Sequence, residues 1–289
     1  MDDEDSELWA RKPIEISGAT PDACFTSESY GEPFAKALGV LGNKQVEDVR
    51  VDQQRIKYTI SGTSCRRSPF EAWGYLSPNV RQYYSRLIVL VGAESTGKTT
   101  LSKSLIKHFS KYNASLVEEY GRLVSERKPD PYADWTENDF EEIAKIQTEN
   151  AIQAMKKSYM VICDTDARAT ACWQDYLMGL TSPKVEEYAA NSPVPALFIF
   201  CPVEGAQFVQ DGTRKPGIHR LTMEKQLLER CRATGAPIVE LTGNSWEART
   251  KEAIEAVDEL LDKTKMGTST RSVDFGDAEQ ISSKWNSEQ

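Results

Sequence analysis

Leu87-Ile88-Val89-Leu90-Val91-Gly92-Ala93-Glu94-Ser95-Thr96-Gly97-Lys98-Thr99 is a short apolar run that passes directly into the spacing G-x-x-x-x-G-K-T. A strand followed by that loop and then a helix is the context in which the pattern binds phosphates. The two glycines let the loop curl so that backbone N–H groups, including those of Glu94, Ser95 and Thr96, point at phosphate oxygens. Lys98 reaches the β and γ oxygens, and the Thr99 hydroxyl joins the shell of a Mg²⁺ ion. Downstream, Leu101, Leu105 and Phe109 recur every four residues, so the next helix, which also carries Thr100, has one buried stripe. Its positive N-terminal end faces the phosphates. The pattern implies that the chain binds a nucleoside triphosphate, with ATP and Mg²⁺ as cofactors; it does not by itself name a reaction.

The 289 residues are 39% hydrophobic, enough for one full core and a smaller second unit. A net charge of −9 and a pI near 5.0, with no sustained basic stripe, argue against nucleic acid as a partner and for small molecules. No apolar stretch approaches the roughly 18 residues of a membrane span, and the acidic start Met1-Asp2-Asp3-Glu4-Asp5 is unlike a secretion signal. A cytoplasmic location and no membrane association are therefore expected. The six cysteines, Cys24, Cys65, Cys163, Cys172, Cys201 and Cys231, form no C-x-x-C pair. Reduced, partly buried thiols fit them better than metal ligation does. A homo-oligomer is left open.

After Thr99 the chain alternates short apolar runs with longer helical periods, the signature of βαβ units and a mostly parallel sheet. Strands are expected at Leu87–Val91, Ser115–Glu118, Tyr159–Cys163, Ala196–Cys201 and Ile238–Thr242. Thr136-Glu137-Asn138-Asp139 reads as a capping-box start to a helix whose apolar positions are Phe140, Ile143, Ala144, Ala151, Ile152 and Met155. The last helix is expected from about Trp246 to Leu261. Residues 1–19 read as an acidic flexible head, residues 20–85 as a separate segment with Gly/Pro punctuation, and residues 264–289 as a disordered tail.

Phosphoryl transfer asks for a positioned acceptor hydroxyl, a metal ion and positive charge over the migrating group. Asp164 ends an apolar strand, so it belongs beside the phosphate loop at the carboxyl edge of the sheet and is the expected metal-side acid. Asp166 follows two residues on and faces the acceptor. Glu118-Glu119-Tyr120-Gly121-Arg122 ends the second strand at the same edge. There Glu119 is placed to accept the acceptor's proton, and Arg122 either binds substrate or pairs with Glu118 or Glu119. The segment from Phe208 to Arg220, containing Asp211, Arg214, Lys215 and Arg220, reads as a lid that closes cations over the phosphates. Trp173 and Tyr176 either stack on a flat base or belong to the core.

Taken together, Gly-Ala-Glu-Ser-Thr-Gly-Lys-Thr at 92–99, Glu-Tyr-Gly-Arg at 119–122, Asp-Thr-Asp at 164–166 with Thr170 and Trp173 after it, and Asp-Gly-Thr-Arg at 211–214 resemble the ribosylnicotinamide kinase domain of the NadR-type bifunctional family. The resemblance spans about Arg86 to Leu261. It implies an α/β fold: a P-loop NTPase, nucleoside-kinase-like parallel sheet with helices on both faces, occupying residues 86–263. It also implies ATP-dependent phosphorylation of nicotinamide riboside at its 5′-hydroxyl, with Lys98, Glu119, Asp166 and Arg214 as catalytic residues. By the same likeness Gly92, Glu94, Ser95, Thr96, Gly97, Lys98, Thr99, Thr100 and Arg220 hold the nucleotide, and Thr99 and Asp164 the metal. Glu119, Tyr120, Arg122, Asp166, Trp173 and Asp211 line the acceptor. The nicotinamide ring is a cation, so an aromatic such as Trp173 would add about 0.5–2 kcal/mol. Ala169 stands where relatives usually carry Thr, leaving Thr170 for the local hydroxyl contact.

Residues from about Thr20 to Arg81 resemble the second half of that family's adenylyltransferase domain, through Phe25-Thr26-Ser27-Glu28 and Ile60-Ser61-Gly62-Thr63-Ser64-Cys65-Arg66. The resemblance implies a partial Rossmann-like nucleotidyltransferase segment, with Ser61, Thr63 and Arg66 at a triphosphate. Such enzymes need an HxGH-type motif, and no histidine precedes His108. That segment is therefore expected to be inactive alone. The alternatives to a kinase are an ATP-binding sensor of pyridine nucleotides, the same fold with another nucleoside, and an adenylyltransferase completed by a separate N-terminal half.

Overall fold

The structure is a computed structural model that describes residues 3–128, 135–204 and 219–265. The chain divides into two compact units, with the boundary between Ser64 and Cys65.

The first unit begins with helix α1 (Asp3–Ser17), where the sequence suggested a flexible head. Ala10 is fully buried, and with Ile14 it packs on Ala35 and Leu38 of α2 (Gly31–Gly42). That contact, with Glu7–Arg11 and Lys12–Glu15 pairs one turn apart, organises the acidic segment into a helix. Strands β1 (Ala23–Thr26) and β2 (Glu47–Arg50) pair in parallel. The short helix α3 (Gly62–Arg67) runs across the boundary between the units. Ser61 Oγ accepts from the Ser64 N–H and bonds the Ser64 hydroxyl at 2.8 Å, so Ser61 serves as the cap of α3.

Residues 65–84, grouped by sequence with the preceding segment, pack in the second unit. Trp73 and Leu76 are buried there with Phe70 beside them, and α4 (Pro78–Tyr84) follows. The Trp73 indole meets Tyr159 edge-on at 5.4 Å and donates to the Lys157 carbonyl at 3.0 Å. These aromatic contacts outweigh the segment's weak local patterning.

Within this unit the elements are β3 (Arg86–Val91), α5 (Lys98–His108), β4 (Ala114–Val117), α6 (Tyr120–Arg127), α7 (Glu137–Met155), β5 (Met160–Asp164), α8 (Ala167–Met178), α9 (Pro183–Asn191), β6 (Leu197–Phe200), α10 (His219–Arg232), β7 (Ile238–Glu240) and α11 (Trp246–Lys265). All five expected strands form, in a parallel sheet of order β4-β5-β3-β6-β7. The period of two along each central strand sends alternate residues to opposite faces. Ile88, Leu90, Met160, Ile162, Leu197 and Ile199 enter one core with Leu101, Leu105 and Phe109 of the α5 region and Val257 of α11. Leu87, Val89, Val161, Cys163, Phe198 and Phe200 enter the other with Ala151, Cys172 and Leu227 from α7, α8 and α10. Helices thus cover both faces, which is why the strands read as continuous apolar runs.

Helix α7 starts as the capping box expected from its sequence. Thr136 Oγ1 accepts from the Asp139 N–H, and Asp139 accepts from the Thr136 N–H at 2.8 Å. Burial pulls the Asp139 carboxyl upward, but hydrogen bonds from Lys128 and Thr136 prevail and hold it below the ordinary carboxylate value. A lowered folded-state value stabilises the fold at pH above the unfolded carboxylate range and is lost as pH falls through the folded one. Asp139→Ala is therefore expected to lower stability by about 1 kcal/mol at neutral pH. Urea titrations at descending pH should show the difference from wild type closing below about pH 4.

Candidate active site

The sheet is parallel, so the ends of β3, β4 and β5 lie at one edge. Leu90 pairs with Asp164 and Val117 with Cys163, which puts the loop after Val91, the Glu118–Glu119 step and Asp164 at the same level. The central strand β3 leads to β4, with β5 inserted between them and β6 on the other side. Its carboxyl end is therefore the crevice at which ligands bind in such sheets.

The phosphate loop is tightly specified. Gly92 has φ +149, and a Cβ there would stand 2.3 Å from the Cys201 carbonyl oxygen. Gly97 has φ +87 and lies under Trp246, whose ring would be 3.0 Å from an added Cβ. Ser95 is also left-handed at φ +58, and Thr96 Oγ1 donates to the Ala93 carbonyl at 2.9 Å. Lys98 Nζ donates to the Gly92 and Ala93 carbonyls at 3.0 and 2.8 Å, so the ammonium is curled over its own loop. Arg220, at the start of α10, donates through Nε to the Glu94 carbonyl at 3.2 Å. Thr100 is exposed on the first turn of α5.

The Thr99 hydroxyl donates to Asp164 Oδ2 at 2.5 Å, joining the phosphate-loop helix to the end of β5. Asp164 is 2% exposed, and its Oδ1 is buried with no hydrogen-bond partner among the described residues. Next to it Thr165 takes φ +74, an uncommon conformation for a β-branched residue that costs about 1–3 kcal/mol. Its peptide is held from both sides. The N–H donates to the Leu90 carbonyl at 3.0 Å, and the carbonyl accepts from Gln147 Nε2 at 3.3 Å.

Asp166 stands at the helix cap of α8. Its Oδ1 accepts from the Arg168 N–H at 2.9 Å and its Oδ2 from the Arg168 guanidinium at 2.5 Å. Arg168, 4% exposed, also reaches the Ser192 carbonyl and lies 5.7 Å from the centre of the Phe198 ring. The sequence placed Asp166 toward an acceptor; the structure gives both its oxygens to Arg168.

Glu119 caps α6 by position, with no capping bond from its side chain, and Tyr120 and Arg122 occupy the first turn, all half-buried. Tyr120 donates its N–H to Gln147 Oε1 at 2.9 Å and its hydroxyl to Glu142 at 2.7 Å. Trp173 is partly buried against both the α8–α10 and the α8–α9 cores, with Tyr176 6.1 Å away and exposed, so Trp173 carries a share of the packing. Asp211, Arg214 and Lys215 lie outside the described residues.

Three side chains that shape this edge escaped the sequence reading. Gln147 is 2% exposed on the apolar stripe of α7, between Ala144 and Ala151, and a polar residue at that phase was the available signal. Arg168 stands among alanines with nothing to mark it. Arg249 of α11 binds the carbonyls of Gly243, Pro202 and Glu204, tying the loops after β6 and β7 together.

Among the described residues no three His, Cys, Asp or Glu side chains cluster as metal ligands, and no helix is long and apolar enough to cross a membrane. All six thiols are free. Burial pushes Cys172 up to about 11 and Cys201 up to about 12, the latter against the pull of Lys98 and Arg249, and raises Cys163 and Cys231 as well.

A family model described as an AAA domain matches residues 87–249, more than half of the chain. The chain belongs to that AAA-domain family. It is 26% identical over 264 residues to the trifunctional NAD biosynthesis/regulator protein NadR of Escherichia coli (strain K12), covering 88% of this chain and 62% of that protein. The NadR of Salmonella typhimurium (strain LT2) is 26% identical over 250 residues, covering 84% of this chain and 58% of the relative. The chain thus spans about three fifths of the length of these curated relatives. A thymidylate kinase of Bacillus mycoides (strain KBAB4) is 26% identical over 157 residues, 47% of this chain and 74% of the kinase. Among solved structures, a NadR protein in complex with NR superposes with a TM-score of 0.62 at 20% identity, covering 88% of this chain and 73% of the other. A NadR protein in complex with NAD and AMP-PNP gives 0.60 at 21%, with the same coverage. These structures share the fold of this AAA-domain chain: a P-loop NTPase α/β architecture, as its sequence implied.

The thiols provide a direct check on the packing of this edge. A thiol reagent at about pH 8 is expected to modify Cys24 and Cys65, which are half-buried, and to reach the other four only in denaturant. Mass mapping of the labelled peptides reads the result.

Proposed function

We propose that the second unit is an ATP-dependent kinase that transfers the γ-phosphoryl group to the 5′-hydroxyl of nicotinamide riboside, giving nicotinamide mononucleotide. The observation that carries this is the Thr99–Asp164 hydrogen bond beside the buried Oδ1 of Asp164, which has no partner among the described residues. A hydroxyl and a carboxylate are hard oxygen donors of the kind Mg²⁺ takes, so Thr99 and Asp164 fit as its protein ligands. When bound, Mg²⁺ would neutralise charge on the β and γ oxygens. The names and ligands of the NadR relatives, NR and AMP-PNP among them, point to the same substrates.

In this reading the loop N–H groups of Gly92 to Thr99 cradle the triphosphate, and Lys98 leaves the loop carbonyls for the phosphate oxygens. The acceptor hydroxyl is held in line by Glu119 and passes its proton to that carboxylate as its oxygen bonds to the γ-phosphorus. The bond from that phosphorus to the β–γ bridging oxygen breaks, and ADP leaves. Asp166, fixed by Arg168, retains a lone pair on each oxygen for ribose hydroxyls. Tyr120, Arg122, Trp173 and Asp211 complete the acceptor side, and Arg214 and Arg220 bring positive charge to the transferring group. The enzyme would act in the cytoplasm, where its thiols stay reduced. The first unit, lacking any histidine, is taken to be silent in adenylyl transfer.

The test is incubation with ATP, Mg²⁺ and a panel of acceptors including nicotinamide riboside and thymidine monophosphate, with product read by mass spectrometry. Nicotinamide mononucleotide is the expected product, and Lys98→Ala is expected to abolish it. Arg214→Ala should lower kcat by about 10²-fold. ATP binding with no phosphorylated product would support a sensor and overturn the kinase. NAD made by this chain from nicotinamide mononucleotide and ATP would overturn the silence of the first unit.

A further inference from the structure

We propose that Gln147 is a positioning residue that locks the acceptor-side segment Glu119–Tyr120 to the metal-side segment Asp164–Thr165, so that the two halves of the reaction centre keep one spacing. This rests on the kinase reading above. The side chain lies on α7, outside both segments, and spends one hydrogen-bonding group on each. Oε1 accepts the Tyr120 N–H at 2.9 Å, and Nε2 donates to the Thr165 carbonyl at 3.3 Å. The orientation of the amide follows from its partners, since an N–H needs an acceptor and a carbonyl needs a donor. At 2% exposure, water cannot replace either partner without opening the core.

Position matters at both ends. Tyr120 N–H belongs to the first turn of α6, immediately after Glu119, so the bond sets where the Glu119 backbone leaves β4. Thr165 is the left-handed residue between Asp164 and Asp166, so its carbonyl reports the turn that aims both carboxylates. β4 and β5 are already paired through Val117 and Cys163. Beyond those last paired residues the ladder stops, and Gln147 continues the connection for one more step through a side chain.

Two variants separate this from plain packing. Gln147→Leu removes both bonds, whereas Gln147→Glu keeps the acceptor for Tyr120 and loses the donor to Thr165 while ionised. A protonated Glu regains an O–H donor. The titratable groups on the cavity it lines are Cys163 and Asp166, with Arg168 bound to Asp166, and Glu119 and Arg122 flank its partner Tyr120 in the chain. Asp164 precedes Thr165; Ser192, Leu87 and Val89 add no charge; and Arg81 of α4 is engaged by the Trp73 carbonyl. Burial and the carboxylates of Asp164, Asp166 and Glu119 favour the neutral acid; the Arg168 guanidinium, already bound to Asp166, opposes it.

Expected for Gln147→Leu is a loss of about 10²-fold in kcat/KM for the acceptor, with ATP affinity within about twofold of wild type. For Gln147→Glu, activity relative to wild type should climb as pH is lowered from about 8 to 6, while the Gln147→Leu ratio stays flat. Wild-type kcat/KM in Gln147→Leu, or parallel pH profiles for both variants, would overturn the proposal. Amide exchange at Tyr120 supplies a readout independent of turnover: faster in Gln147→Leu, protected in Gln147→Glu. If no acceptor is phosphorylated by wild type, the kinase reading falls and the coupling role falls with it, while Tyr120 exchange still decides whether the tether exists. Unchanged exchange in Gln147→Leu would refute the tether even in an active enzyme.

Discussion

Everything at the carboxyl edge of the sheet depends on the alignment of β3 with β5, closed by the hydrogen bond from Thr99 to Asp164. Leu90 opposite Asp164 puts the last carboxylate of one strand beside the loop that leaves the other. A parallel ladder fixes that offset through a row of backbone bonds, each buried on both faces and expensive to leave unmade. A one-residue slip would turn Asp164 from the edge into an apolar layer and would exchange the two cores that alternate along the strand. The apolar residues on either face therefore hold Asp164 and the Gly92–Thr99 loop in register as well as the fold.

On this frame the edge stores unfavourable features that a purely structural sheet would avoid. Thr165 is strained, Asp164 Oδ1 is buried without a hydrogen-bond partner among the described residues, and Asp166 with Arg168 is a buried ion pair. Desolvating such a pair cancels much of its Coulomb attraction, so it contributes little net stability, whereas the loss of one partner would leave an uncompensated charge. What the pair gives is orientation: two bonds from one arginine hold the Asp166 carboxylate in a single rotamer. Strain and a buried polar atom without a partner among the described residues, gathered at one sheet edge beside the Gly92–Thr99 loop, are features that ligand sites commonly share.

Periodicity carried most of the second unit. The strands at Leu87–Val91 and Tyr159–Cys163 are apolar throughout because both faces are covered, and the stripe Leu101, Leu105, Phe109 is buried as its spacing implied. Strand ends shifted by a residue or two, since ladders stop where pairing stops and not where hydrophobicity does, and the last helix runs four residues past its expected end. Patterning failed where long-range aromatic packing governed the outcome. Phe70 and Trp73 have neighbours at Tyr112 and Tyr159, distant in sequence, and nothing local announces that they leave the first unit. The acidic head misled for a related reason: charge suggested a solvated coil, but Ala10 and Ile14 pack against Ala35 and Leu38 and dock a helix.

The proposed site is written in the sequence as motifs, whereas its supports are not. A phosphate loop is written in consecutive residues because consecutive N–H groups do the binding, and a carboxylate after an apolar strand follows from topology. Gln147, Arg168 and Arg249 act on carbonyls and carboxylates of other segments, so their roles exist only once the chain is folded. Gln147 shows the distinction most clearly. Its position on α7 is one that packing would give to Leu, and burying a primary amide costs free energy unless both ends are satisfied. Both ends are satisfied, one by an N–H that β4 can no longer pair and one by a carbonyl that β5 can no longer pair. A polar residue retained on an apolar stripe is thus accounted for by the two backbone groups stranded where the sheet ends and the site begins.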